Sequence, residues 1–301
     1  MDLFVPLDTG LVIGLILAWA VIALSVSFRL LNFPDLTIEG SLLIGAAVFS
    51  ALLELKTPLF SAALYGILGG VAAGAMTGFF HVKYGINKFL AGIIVVAICF
   101  TASLRIMGAS NIGLNNHKTI FNKVTYVDKL IPDLHTGSIL LLAAMMLVGI
   151  VLLYTGLSSK YGIRLRVAGS NPEYARSLGI SAPLYLVTGL ALTNGLAAFS
   201  GILLAMFQGF TDVGMGQGTL IIALAALTIG ERLFPKTKVS YHLFVLIAAV
   251  SGSLLYQILV AVAIRMGLAA TDLKMVTAVL VLVVMAMKSA QKDELLTEEF
   301  K

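Results

Sequence analysis

Residues 9–28 read TGLVIGLILAWAVIALSVSF, twenty positions without one charged side chain. A helix of about 20 apolar residues spans the hydrocarbon core of a bilayer. The residues before this run contain no Lys or Arg, whereas a cleaved signal begins with a basic segment. We therefore interpret the run as a first, retained membrane span.

The rest of the chain has the same apolar character. Of its 301 residues, 59% are hydrophobic and only 12% are Asp, Glu, Lys or Arg, whereas a soluble domain is about 25% charged. This composition excludes a soluble enzyme, a disordered chain and a disulfide scaffold. We predict an all-α fold, a polytopic helical membrane protein in which residues 1–301 form a single transmembrane domain. The nine candidate spans cover residues 9–28, 40–55, 58–80, 87–107, 137–157, 182–207, 218–230, 241–264 and 272–288.

Two of these candidates, 40–55 and 218–230, are short for a full crossing. Each follows a polar segment that contains Gly or Pro, a pattern typical of the broken helices that line transport paths. The second follows the glycine-rich segment 214–218. We interpret that segment as an irregular entry into the membrane, because no predicted strand precedes it as a nucleotide-binding motif requires.

The distribution of Lys and Arg predicts the orientation, because these residues concentrate on the cytoplasmic side of membrane proteins. With the N-terminus outside, thirteen of them fall on the cytoplasmic side and seven on the external side. The prediction is N-out and C-in, with an external loop at 108–136, a cytoplasmic coupling loop at 158–181 and a cytoplasmic tail at 288–301. The external loop is either a plain connector or a docking face for an external partner.

Few residues in the sequence are of the types that form metal, catalytic or ion-coupling sites. Cys99 is the only cysteine and the four histidines fall on different loops, so we expect no metal site and no catalytic site. The basic residues are scattered between apolar runs, so we expect no nucleic-acid partner. Charged residues lie only at the ends of the predicted spans, whereas an ion-coupled carrier usually keeps one inside the membrane. We therefore expect the energy source to lie outside this chain.

The stretch most informative about function lies in the cytoplasmic loop, where residues 160–181 read KYGIRLRVAGSNPEYARSLGIS. Asn171 is a good N-cap and Pro172 suits the first helical position. Gly179 is typical of the residue that follows a helix end. These signals predict a two-turn cytoplasmic helix at 172–178, which is either a docking element for another subunit or an idle surface helix.

Four glycines, Gly66, Gly70, Gly74 and Gly78, are spaced four residues apart and share one face of a helix. In lipid, small residues let another backbone approach closely, so this face predicts a tight helix contact. The spacing leaves open whether the contact is within one chain or between two.

Five polar residues near the spans have two interpretations each. Asn194 faces either the translocation path or a neighbouring helix. The other four either line the path or cap a broken helix, because Asp, Thr and Ser before an apolar run are ordinary helix-start signals. They are Asp35, Thr37, Glu39 and Ser41.

Four segments together resemble a known family. Residues 31–47, 167–180, 193–202 and 216–230 are similar, in this order, to permease subunits of bacterial ABC importers of the branched-chain amino acid and ribose type. The segment at 167–180 resembles their cytoplasmic coupling loop. The sequence PDLTIEGS, residues 34–41, is typical of single-permease systems assigned to tryptophan or tyrosine uptake.

The resemblance implies a transport subunit of the bacterial inner or plasma membrane, without enzymatic activity, that translocates a small solute such as an amino acid. It implies three protein partners besides membrane lipid, namely a second copy of the chain in a homodimer, an external substrate-binding protein and a cytoplasmic ABC ATPase dimer. The ATPase would bind ATP and Mg²⁺, and this chain would hold no cofactor. The residues implied to contact the ATPase are Arg166, Gly169, Asn171, Pro172, Glu173, Tyr174, Ala175, Arg176, Leu178 and Gly179.

Two other functions stay open at this point. A stand-alone ion-coupled secondary transporter or channel would need an ion site, an inverted repeat or a hydrophilic pore. A membrane-embedded enzyme would need clustered His, Asp, Glu or Ser side chains at the span ends.

Overall fold

The structure, a computed structural model, describes residues 5–115, 117–121, 136–234 and 240–267, together with the single residues 272, 275 and 279. Two short strands, β1 (Asn111–Gly113) and β2 (Phe210–Asp212), accompany the helices, and a π-helical turn (Val26–Leu30) continues the first helix. The helices are α1 (Val5–Ser25), α2 (Thr37–Glu54), α3 (Leu59–Tyr84), α4 (Lys88–Met107), α5 (Thr136–Ser158), α6 (Lys160–Ser170), α7 (Pro172–Ser177), α8 (Ala182–Gln208), α9 (Thr219–Leu233) and α10 (Tyr241–Arg265).

Seven helices in the described ranges are long and apolar enough to cross a membrane: α1 with its π-helical turn, α2, α3, α4, α5, α8 and α10. This confirms the predicted all-α polytopic class. The short candidate at 218–230 corresponds to α9, which has only 15 residues. The candidate at 272–288, the tail at 288–301 and residues 122–135 of the external loop lie outside the described residues, apart from three single positions.

The centre of the bundle is formed by α1, α2 and α8, whose side chains are mostly buried. Small residues bring these helices together. A Cβ on Gly45 of α2 would lie 2.7 Å from the Cα of Ala198 in α8, so the two backbones are in contact there. Such close approach is how helices associate in lipid, where burial of apolar side chains gives little advantage.

The periphery of the bundle is formed largely by α3, α4 and α5. Their outward faces carry large exposed apolar side chains such as Phe60, Ile93 and Leu147. In water such a surface would be an aggregation hazard, whereas in a bilayer it is the expected lipid-facing surface.

Polar contacts are present at both ends of the bundle. At one end, β1 pairs antiparallel with β2, and the hydroxyls of Ser50 and Thr211 hydrogen-bond at 2.5 Å. The other end, which the charge distribution predicts to be cytoplasmic, carries α6 and α7. There Lys88 donates to the carbonyl of Asn32 at 2.8 Å.

The segment 158–181, predicted to be a cytoplasmic loop, is largely helical, because α6 and α7 together take up 17 of its 24 residues. The Ser159 side chain accepts a hydrogen bond from the Gly162 N–H at the start of α6, and Leu165 and Ala168 are buried on its inner face. The helix predicted at 172–178 is α7, which ends one residue earlier.

Candidate functional site

A buried polar network joins the start of α2 to α8. The Asn194 Nδ2 donates to Asp35 Oδ2 at 2.6 Å, and Ser41 donates to Asn194 Oδ1 at 2.6 Å. The other carboxylate oxygen of Asp35 accepts the Thr37 N–H at 2.9 Å, which caps α2. The Thr37 hydroxyl hydrogen-bonds to that of Thr77 in α3 at 2.6 Å. All five side chains are fully buried, so Asn194 faces neighbouring segments of its own chain.

This network lies deep in the bundle. Asn194 is the thirteenth of the 27 residues of α8, a helix about 40 Å long. Asp35 and Ser41 bond to this residue and therefore lie level with the middle of α8. The sequence placed Asp35 near the end of a predicted span, whereas the structure buries it inside the bundle just before α2 begins.

Glu39 holds the start of the short helix α9. One of its carboxylate oxygens accepts the N–H groups of Gly218 at 3.0 Å and Leu220 at 3.1 Å. A carboxylate at a helix N-terminus satisfies free amide groups and is favoured by the helix dipole. A Cβ on Gly216 would overlap the Glu39 carbonyl, so a glycine is required where this irregular segment passes α2.

The opposite end of α9 is also held by a charged group. Arg29, in the π-helical turn after α1, donates from Nε to Glu231 Oε1 at 2.6 Å and from Nη2 to Oε2 at 2.5 Å. This two-point geometry is the strongest arrangement of an arginine and a carboxylate. The pair joins residues 202 positions apart, and no local signal in the sequence indicates it.

The exposed helix α7 has the caps that its sequence predicts. The Asn171 side chain accepts the Tyr174 N–H at 2.9 Å, and Gly179 has a φ of +72° just after the helix end. Of the residues expected to contact the ATPase, Ala175 is fully buried in this chain, between Ala168 and Ala182. The exposed ones are Asn171, Pro172, Glu173, Tyr174, Arg176, Leu178 and Gly179.

α6 connects this helix to the membrane domain. A Cβ on Gly169 would lie 2.5 Å from the carbonyl oxygen of Leu30, so α6 rests directly on the backbone that follows α1. Arg166 donates to His242 Nδ1 of α10 at 2.8 Å and is half-buried. Gly169 and Arg166 therefore make contacts inside this chain. In the described ranges, no three His, Cys, Asp or Glu side chains come together as metal ligands.

The glycine face of α3 packs against α8 and α2 of the same chain. A Cβ on Gly66 would lie 2.6 Å from the Gly45 carbonyl oxygen, and one on Gly70 would lie 2.5 Å from that of Asn194. Gly74 and Gly78 make similar approaches to α8. The close contact that the spacing predicts is thus within one chain, and it supports the helix that carries Asn194.

A matched pair of serine substitutions tests the buried network. We expect Ser41→Ala to destabilise the protein by about 1–3 kcal/mol, because it leaves the side-chain oxygen of Asn194, Oδ1, buried without its serine donor. Ser103→Ala is the control, because the Ser103 hydroxyl is equally buried but bonds to no described residue. Thermal unfolding in mild detergent measures both. Equal unfolding temperatures for the two variants would contradict a stabilising role of the network.

Comparisons with known proteins agree with this architecture. The family model of the permease component of branched-chain amino acid transport systems matches residues 7–286. The tyrosine transport system permease protein of Clostridioides difficile is 35% identical over 91% of this chain and 88% of its own length. An uncharacterized protein of Rickettsia prowazekii is 28% identical over 96% and 99%, and a nucleoside ABC transporter permease protein of Lactococcus lactis is 33% identical over 28% and 27%. No solved structure is significantly similar to the chain.

The family match extends from α1 to beyond α10 and includes the buried network, the short helix α9 and the capped helix α7. Together with seven apolar helices, it makes the chain a multi-pass protein of the bacterial inner membrane. The chain belongs to the family of permease components of branched-chain amino acid transport systems, the membrane-spanning subunits of ABC transporters.

Proposed function

We propose that the chain is the permease subunit of an ATP-driven importer and that α7 docks into a separate cytoplasmic ATPase. The observation that carries this proposal is the build of α7. The helix is capped at both ends, exposes Glu173, Tyr174, Arg176 and Leu178, and buries Ala175 against the rest of the chain. A short rigid helix anchored by one buried residue can pass a movement of the bound ATPase to the membrane domain, whereas a flexible loop would absorb it.

The contacts of α6 indicate how a movement of α7 reaches the membrane-spanning helices. α6 rests on the backbone of Leu30 and Leu31 through Gly169. Asp35, in the buried network, follows Leu31 by four residues, and Glu39, which accepts hydrogen bonds from the start of α9, follows Asp35 by four more. Movement of α7 on ATP binding by the ATPase would thus displace the connection between α1 and α2.

We infer that the transported solute is an amino acid or a related small molecule, delivered by an external binding protein. The support is the family description and the name of the Clostridioides difficile relative, a tyrosine transport system permease. We propose a homodimer of this chain with two ATPase subunits. ATP and Mg²⁺ would be bound by the ATPase, with no cofactor in the permease.

Native mass spectrometry of the tagged chain, purified from its own membrane in mild detergent, tests the assembly. We expect two copies of this chain with two copies of an ATPase. In proteoliposomes with the binding protein, uptake of labelled L-tyrosine should then require ATP and persist in the presence of an ionophore. A chain that purifies alone and transports without ATP would overturn the proposal.

A stand-alone ion-coupled transporter is the second candidate, because Asp35 is buried and Glu39 is half-buried within the helix bundle, and acidic residues inside a membrane domain often mark ion pathways. Both carboxylates already accept hydrogen bonds from their own chain. The ionophore arm of the uptake experiment separates the two candidates, because collapse of the ion gradient stops only the ion-coupled transporter.

A further inference from the structure

A cavity of about 290 Å³ lies between α1, α8, α9 and α10, apart from the network around Asn194. Its walls are mainly apolar and include Ile13, Leu204 and Ile222. Gln208 and Gln217, both exposed, also line it, and Gln208 comes two residues before β2. The cavity is therefore nearest the end of the bundle that is predicted to face outside.

Two mostly buried side chains with hydrogen-bonding groups line this cavity. Gln257 of α10 is 7% exposed and Thr219, the first residue of α9, is 5% exposed. Both line the cavity, and neither side chain makes a hydrogen bond to another residue in the described part of the chain. Their polar atoms are reached from the open cavity, so both are available to hydrogen-bond to a molecule that enters it.

We propose that this cavity is a solute subsite that takes a ring-sized apolar body carrying an uncharged hydrogen-bonding group, such as a phenol. The Gln257 amide both donates and accepts, and the Thr219 hydroxyl does the same. Together they match a hydroxyl on an otherwise apolar ring. No charged side chain of the described residues lines the cavity, so it suits the side chain of an amino acid and not its charged ammonium or carboxylate group.

The size of the cavity agrees with this ligand class. An apolar protein cavity of about 150 Å³ binds benzene, and this cavity is about 290 Å³. A lipid chain would fill the space but leave both polar groups unsatisfied. This inference rests on the proposed function, because it assigns the cavity to a solute that passes through the permease.

The test measures binding of 4-fluorophenol and of fluorobenzene, its counterpart without the hydroxyl, to the purified transporter in nanodiscs by fluorine NMR. Gln257→Met and Thr219→Val keep the side-chain volumes and remove the hydrogen-bonding groups. Thr155→Val, on the exposed face of α5, is the matched control. Ile222→Trp fills the cavity.

We expect the double variant, Gln257→Met with Thr219→Val, to weaken 4-fluorophenol binding roughly 30-fold, because two hydrogen bonds of about 1 kcal/mol each are lost. Fluorobenzene binding should change less than about twofold in the same variant. Ile222→Trp should remove the binding of both probes, and Thr155→Val should change neither.

Three results would overturn the subsite: equal weakening of both probes in the double variant, binding that Ile222→Trp does not affect, or an equal loss in Thr155→Val. The binding measurement needs neither ATP nor a binding protein. Failure of the subsite is therefore distinguishable from failure of the proposed function, which ATP-dependent L-tyrosine uptake tests in the same preparation.

Discussion

Reversal of both charges on α7, Glu173→Lys together with Arg176→Glu, is expected to abolish ATP-driven uptake, a loss of roughly tenfold or more. Both side chains are exposed on the face that we assign to the ATPase, and the exchange keeps the net charge. Each reversed side chain would then face a group of like charge on the ATPase, and this repulsion weakens binding enough to separate the subunits. The measurement is uptake in proteoliposomes, with the amount of co-purified ATPase as a second readout.

Lys160→Glu in α6 is the control for this experiment, because it reverses an exposed charge on the same side of the bundle without touching α7. It should leave uptake and co-purification close to the unmodified level. The unfolding temperature of the double variant should also stay unchanged, because neither side chain is buried. Full uptake with a normal share of ATPase in the double variant would contradict the docking assignment.

Gly70→Leu is expected to prevent assembly of the folded membrane domain. Even a Cβ at this position would lie 2.5 Å from the Asn194 carbonyl oxygen, and the backbone of α8 cannot move aside as a flexible side chain can. Overpacking of an ordinary core costs about 1–3 kcal/mol, and this substitution must also push apart the helices around the buried network. Fluorescence-detected size-exclusion chromatography of the tagged chain in mild detergent should show little monodisperse protein.

Gly69→Leu is the matched control, one position away on the same helix. A Cβ on Gly69 would have its nearest neighbour at 3.7 Å, an ordinary contact with Val48. This variant should therefore assemble with little loss. A Gly70→Leu protein as abundant and as stable as Gly69→Leu would disprove the requirement for a small residue at the α3–α8 contact.

Features that depend on neighbouring residues could be predicted from the sequence. The bounds of α7 follow from Asn171, Pro172 and Gly179, and the structure places the helix within one residue of the prediction. The membrane class follows from the apolar runs, and the two short spans are the helices α2 and α9, at 18 and 15 residues. Local caps and run lengths are properties of the chain itself, which is why they could be predicted.

The helix α6 was missed although a signal for it exists. Gly162, Leu165 and Ala168 are spaced three apart and form its buried face, and Ser159 is a suitable N-cap. Three basic residues in the same stretch, Lys160, Arg164 and Arg166, placed it outside the predicted spans and indicated part of a loop. Attention to the spacing of its apolar positions would have predicted this helix.

Features that depend on distant parts of the chain could not be predicted. The pairing of β1 with β2 and the pair of Arg29 with Glu231 join segments separated by about a hundred and by 202 residues. The depth of Asp35 in the bundle could not be predicted either, because it depends on where α2 begins relative to α8. A hydropathy pattern gives the length of a span but not its height in the membrane.

The two attachments of α9 affect how tightly the membrane stays sealed. Glu39 holds its first turn and Arg29 holds Glu231 near its end, about 20 Å away. Arg29, in the π-helical turn, and Glu39, in the first turn of α2, lie on either side of the short connection between these two helices. A helix fixed at one end can tilt and open one side alone, whereas α9 cannot tilt without disturbing both attachments. We expect α9, held at both ends, to prevent a continuous pore from opening, so that small ions do not leak while a solute crosses.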